Sequence, residues 1–148
     1  MTTDILVNVG EEYVIKNNVD GATFTFGLYD DSTDDLTDTS VVGDITTEPE
    51  NENYSTQSVT VSAENLAGNW GVENDATFEF DFSDVTDGDP EVQDVDAAYV
   101  TVNFTSDELE QEEANDNLIG NFALEQTRDI GQLDTIEVGA GDATLTLD

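Results

Sequence analysis

Six stretches of this chain, TFTFGLY, SVTVS, TFEFDF, YVTVNF, NFALEQT and TLTLD, alternate apolar residues with small or acidic ones. A period of two puts every second side chain on the same face of an extended strand, so each stretch reads as a strand with one face turned to a core. Strands are predicted near Ala22 to Tyr29, Ser55 to Ala63, Ala76 to Phe82, Ala97 to Thr105, Asn117 to Thr127, Thr135 to Val138 and Ala143 to Leu147. Their inward rows are Phe24, Phe26 and Leu28; Val59 and Val61; Phe78, Phe80 and Phe82; Val100, Val102 and Phe104; Phe122 and Leu124; Ile136 and Val138; Leu145 and Leu147. Short strands at this spacing point to an all-β fold, an antiparallel β-sandwich of jelly-roll type. One short helix is expected ahead of them, between Leu6 and Asn18. Glu11 and Glu12 suit a helix start, Lys16 suits the last turn, and Asn17, Asn18 and Gly21 are stop signals.

That order is notable because the composition argues for disorder. The chain carries 36 acidic residues against two basic ones, Lys16 and Arg128, for a formal net charge of -34, with 36% hydrophobic residues. Self-repulsion of that size opposes compaction unless it is screened, and the Debye length shrinks from about 8 Å at physiological ionic strength to about 3 Å at 1 M salt. A chain that replaces lysine by Asp, Glu and Thr yet keeps strand periodicity reads as salt-adapted, with charge serving solubility in brine. The same charge repels phosphate, which excludes nucleic acid as a direct partner and disfavours an anionic membrane surface. No stretch approaches the roughly 20 apolar residues of a span, so no membrane insertion is expected. The opening MTTDILVNVG has neither a basic segment nor a long apolar one, so the expectation is synthesis in the cytoplasm without a secretory signal.

A length of 148 residues with no Gly, Ser or Pro tract predicts one domain. Its connections are long and acidic: DDSTDDLTDTSVVGDITTEPENEN, SDVTDGDPEVQDVD and SDELEQEEAND. Loops of this length are usually functional or docked on a partner.

Zero Cys and zero His remove thiolate chemistry, disulfides, the usual general base and the commonest metal ligand. A carboxylate pair suffices for glycoside hydrolysis, but among 36 carboxylates a pair is uninformative, and no enzyme is expected. In SDVTDGDPE, Asp84, Asp87 and Asp89 surround Gly88 in an oxygen-rich turn of the kind that holds Ca²⁺ or Mg²⁺. The turn lacks the 12-residue EF-hand spacing, so a solvated turn competes with a metal site. The acidic stretch YDDSTDDLTD reads the same way, and ions such as Ca²⁺, Mg²⁺ or Na⁺ are the only cofactors the composition suggests. Trp70, the single tryptophan, lies between Gly68 and Gly71; it is either a packing residue or a surface platform for sugar or partner. Arg128 follows the strand NFALEQT. A guanidinium fixes carboxylates in a geometry lysine cannot match, so its retention implies a specific ion pair, within the chain or across a subunit contact.

Five pieces of sequence, in order, resemble a family of small structural proteins of tailed bacteriophages, often labelled tail fibre proteins. They are VNVGEEYV at Val7 to Val14, FTFGLYDDST at Phe24 to Thr33, YSTQSVTVS at Tyr54 to Ser62, NLIGNFAL at Asn117 to Leu124 and IEVGAGDATLTL at Ile136 to Leu147. NWGVEN at Asn69 to Asn74 lies earlier than the family's Trp-Gly, and the TFEFDF to YVTVNF region suits the pattern loosely. The resemblance implies a structural protein of a tailed virus; with the composition, it implies a virus of a haloarchaeon. The expected role is a virion surface component, either a capsid decoration or turret or part of the tail-fibre and baseplate apparatus. Its expected partners are copies of itself in a homo-oligomer and other virion proteins. A module binding the host cell surface, and a soluble intracellular protein with no viral role, remain the alternatives.

Overall fold

A computed structural model describes residues 7–86, 93–103 and 116–147. The chain adopts the expected all-β antiparallel fold with a short N-terminal helix. The helix is α1 (Asn8–Asn18), and the strands are β1 (Thr23–Tyr29), β2 (Gln57–Leu66), β3 (Asn69–Asn74), β4 (Phe78–Asp81), β5 (Asp94–Asn103), β6 (Asp116–Asp129), β7 (Thr135–Val138) and β8 (Thr144–Thr146). The one-turn helix α2 (Asp31–Asp34) and 3₁₀ turns at Val42–Asp44 and Ile130–Gln132 lie in the connections.

Contacts gather into two compact units, each assembled from segments far apart in sequence: Met1–Thr23, Val59–Phe78 and Val138–Asp148 in the first, Phe24–Ser58 and Glu79–Glu137 in the second. In the first unit, β2 and β3 form a hairpin whose register runs from Val61 opposite Asn74 to Leu66 opposite Asn69, and β3 pairs in turn with β8. The two-residue turn places Ala67 at φ 55° and Gly68 at φ 98°, the left-handed pair that matches strand twist, and Asn65 Oδ1 accepts the Gly68 N–H at 3.0 Å. A Cβ on Gly71 would fall 2.2 Å from the Leu145 carbonyl oxygen, so only glycine admits β8 this close.

In the second unit β1 pairs with β5 from Thr25 opposite Thr101 to Tyr29 opposite Ala97, and β5 pairs with β6. Gly27 faces Tyr99 across that ladder, and its missing Cβ is the space the Tyr99 ring fills, at 2.3 Å from where the atom would sit. The β5 to β6 register jumps between Val95 opposite Arg128 and Ala97 opposite Ala123. The residues from Leu124 to Thr127 therefore bulge out of the ladder, which interrupts the pairing and blunts that edge. β4 pairs with β7, extended by Phe82 N–H to Asp134 O at 2.7 Å.

The alternation fixed the core correctly. Phe24, Phe26, Leu28, Val59, Val61, Phe78, Phe80, Phe82, Val100, Ile136 and Val138 are all buried. Val102, Phe122, Leu124, Leu145 and Leu147 are half-buried, and Phe104 lies outside the described residues. Phe26 meets Phe122 edge-on at 6.0 Å.

Candidate functional site

The second unit carries the long acidic connection between β1 and β2, and the carboxylates there are used as acceptors for the chain's own donors. Asp30 accepts the Ser32 N–H at 3.1 Å, capping α2, and the Thr33 hydroxyl at 2.8 Å. Asp34 takes both N–H and hydroxyl of Thr46 and of Thr47, from 2.5 to 3.2 Å. Asp96 on β5 accepts the Asp31 N–H at 2.7 Å. Threonine and aspartate, abundant in this connection, thus fold it locally.

These contacts set the ionisation. The Ser32 hydroxyl, against some burial and with help from Thr33, holds the Asp30 carboxyl below the usual range. For Asp34, burial acts upward, but the donors of Thr46 and Thr47 outweigh it and the carboxyl is again held low. A carboxyl depressed on folding stabilises the folded state above its unfolded pKa, near 3.9, and that contribution disappears as pH falls through the lower folded value. Asp34→Asn should therefore cost about 1 kcal/mol near neutrality, given partial exposure, and loosen residues 31–47. Amide exchange should show wild-type protection of this segment falling away below about pH 3.9, with the variant loose throughout.

Under this connection lies a polar and aromatic network. Glu48 accepts the Tyr54 hydroxyl on Oε1 and the Tyr99 hydroxyl on Oε2, both at 2.8 Å. The Tyr54 oxygen also accepts the Leu28 N–H at 2.9 Å, and its ring stacks 5.8 Å from both Phe80 and Phe82. Tyr29, fully buried, donates to Asp31 Oδ1 at 2.9 Å and accepts from Asn121 Nδ2 at 2.6 Å. Burial, then the Glu48 carboxylate, raises Tyr54 far above the usual tyrosine range, and burial does the same to Tyr29, so both hydroxyls stay protonated. Leu36, Ile45 and Leu118 pack on the Tyr29, Ala97 and Tyr99 cluster. Between the connection and β6 opens a cavity of about 340 Å³ lined by Leu36, Thr37, Asp38, Ser40 and Leu118 to Asn121.

The residues singled out in the sequence are dispersed. Asp84 receives the Asn51 amide on Oδ1 at 2.7 Å and the Asn53 N–H on Oδ2 at 3.0 Å; Asp87 and Asp89 lie outside the described residues. Among the described residues no group of three or more carboxylates is arranged to hold a metal ion. Asn51 is buried, and its Oδ1 has no partner among the described residues. Trp70 lies in the first unit on β3, where the Glu11 carboxylate, itself buried, accepts the Trp70 backbone N–H at 3.2 Å and Lys16 Nζ stands 5.0 Å from the ring centroid. Lys16 also pairs with Glu12 at 2.7 Å. One ring face that a sugar would stack on is thereby taken by a cation, an arrangement the single lysine makes possible. Arg128 is half-buried on β6 opposite Val95 and forms no ion pair among the described residues.

Sequence reasoning missed the Glu48 network. Its signal was present in the odd placement of Tyr54 before the alternating run and in Glu48 beside Pro49, but nothing in the spacing joined them. Comparison with family models, curated proteins and solved structures found no match to this chain.

Proposed function

We propose that the chain is a structural subunit on the outside of the virion of a salt-adapted archaeal tailed virus, as a capsid decoration or turret or in the tail-fibre and baseplate apparatus. The observation that carries this reading is the order of the pieces resembling the tailed-phage family, each of which falls on or overlaps a helix or strand of the fold. VNVGEEYV opens α1, FTFGLYDDST runs from β1 into α2, YSTQSVTVS leads from Tyr54 into β2, NLIGNFAL lies in β6, and IEVGAGDATLTL is β7, a turn and β8. The composition supports it too, since an acidic surface keeps a particle soluble and dispersed in brine. Asp30, Asp34, Glu48, Tyr54 and Asn74 hold loops, rings and strands in place, which suits a building block.

The test is direct. Particles from a lysing haloarchaeal culture carrying the gene, kept at about 3 M salt where screening is nearly complete, should bind gold-labelled antibody to the chain at repeated positions on head or tail. Particles holding no copy of the chain overturn the proposal.

A further inference from the structure

Asn51, late in the acidic connection, is 7% exposed, and only one end of its amide is matched. Nδ2 donates to Asp84 Oδ1 at 2.7 Å and to the Asp81 carbonyl oxygen at 3.4 Å, which fixes the side chain in the turn after β4. Oδ1 is buried, and no donor among the described residues meets it. The donors shown in the turn are engaged elsewhere: Asn53 N–H on Asp84 Oδ2 at 3.0 Å, Asn53 Nδ2 on the Ser83 hydroxyl at 3.2 Å, and Ser83 N–H and hydroxyl on Asp81 Oδ1 at 2.8 and 2.6 Å. No ion pair among the described residues reaches Asp81 or Asp84. A buried acceptor without a donor is costly, so a group that brings positive charge to Oδ1 stabilises the turn.

Bonds of about 1.23 and 1.33 Å join Oδ1 and Nδ2 through Cγ, so Oδ1 lies within about 5.3 Å of Asp84 Oδ1. One cation that takes oxygens at about 2.3–2.6 Å, as calcium does, bridges a gap of that order. Sodium has calcium's size and half its charge. The amide faces a single carboxylate, Asp84, which is exposed and lets water complete a coordination shell, and no group of three carboxylates stands among the described residues. That donor set suits a monovalent ion better than calcium, which is held by about six to eight oxygens, carboxylates prominent among them. We propose that Asn51 Oδ1 and the Asp84 carboxylate bind a monovalent cation of sodium's size. In a chain with 36 acidic and two basic residues, a solvent ion here takes the place of a lysine or arginine. The proposal stands or falls independently of the virion reading.

The test separates binding from screening. NaCl is titrated into tetramethylammonium chloride at a constant ionic strength of about 3 M, so that screening stays nearly complete throughout while only sodium fits the turn. The assigned side-chain amide resonances of Asn51 should move saturably with sodium, and Tm should rise by about 5 °C once sodium exceeds its dissociation constant about tenfold. Asp84→Asn, an exposed substitution, should remove at least half of that rise with a native circular dichroism spectrum, and Asn51→Leu should remove it as well. Three results would each overturn the proposal. Asn51 resonances indifferent to sodium would mean that water alone meets Oδ1. Resonances that move with added CaCl₂ but not with sodium would mean a divalent site. A rise in Tm undiminished in Asp84→Asn would mean that sodium acts at other carboxylates.

Discussion

Tyr54→Ala should lower stability by about 3–5 kcal/mol, enough to bring a domain of ordinary stability close to unfolding. The residue joins three things in one side chain. Its ring covers Phe80 and Phe82, both fully buried, at 5.8 Å from each. Its oxygen accepts the Leu28 N–H, and its proton goes to Glu48. Truncation opens the aromatic stack, strips the Leu28 N–H of the acceptor shown for it, and halves the tyrosine pair that Glu48 holds. Tyr54→Phe separates these effects: the stack survives, while loss of the hydroxyl leaves buried polar groups short of a partner at about 1–3 kcal/mol. Urea unfolding at constant high salt, followed by tryptophan fluorescence and circular dichroism, gives both numbers. A double-mutant cycle of Tyr54→Phe with Glu48→Gln should show coupling, since the two groups share one hydrogen bond. A Tyr54→Ala protein as stable as wild type would mean that the stack contributes nothing to holding β4 in place.

The contrast between Tyr54 and the strands shows what the sequence makes legible. Alternation is a local signal and it located β1, β2, β4, β5, β6, β7 and β8 within a few residues, because burial of one sheet face dictates every second residue. The strand β3 escaped it. NWGVEN carries glycine at position 71, where backbone closeness to Leu145 replaces a side chain, and a buried asparagine at 74. Asn74 Nδ2 donates to Ala76 O and Gly139 O at 2.8 and 2.9 Å, and its Oδ1 accepts the Ala143 N–H. A strand built on backbone approach and a buried amide has no apolar period to read. The same reasoning explains the acidic connection. From sequence it was a long loop awaiting a partner or an ion, whereas Asp34 bonding to Thr46 and Thr47 folds it from within, and pairings 12 and 13 residues apart leave no pattern in composition. For the two cations the sequence indicated that they were special without saying how. Lys16 has Glu12 and the Trp70 ring, while Arg128 pairs with no described carboxylate.

Salt and pH should act on this protein in opposite senses, and the crossing is the largest effect expected. Two like charges 6 Å apart in water repel by about 0.7 kcal/mol. With a net charge of -34, ten such neighbours on a folded surface already amount to about 7 kcal/mol before screening, comparable to the whole stability of a domain. At about 3 M salt this term nearly vanishes, and at about 0.1 M, with a Debye length near 10 Å, much of it remains. Removing salt at pH 7 should therefore unfold the chain cooperatively. Lowering pH at about 0.1 M salt should then restore structure, because protons added to a chain of net charge -34 remove like charge and relieve the repulsion as pH approaches about 4.5. Asp30, Asp34, Asp81 and Asp84 behave otherwise. Their carboxyls are held low: Asp30 and Asp81 by serine donors, Asp34 and Asp84 by donors that outweigh burial. They remain ionised, and their caps intact, until the pH drops below the unfolded value of about 3.9 and through the lower folded ones, where that stabilisation is lost. Low salt should thus give stability that rises from pH 7 toward pH 4.5 and falls again below about pH 3.9, while high salt should show only the acid loss. Circular dichroism in dilute solution, needed because the isoelectric point is near 4.1, measures both limbs. Stability that is flat in salt at pH 7 would mean that the acidic surface is not repulsive enough to matter. An acid limb that appears already at pH 5 in brine would mean that the capping aspartates do not hold their protons off.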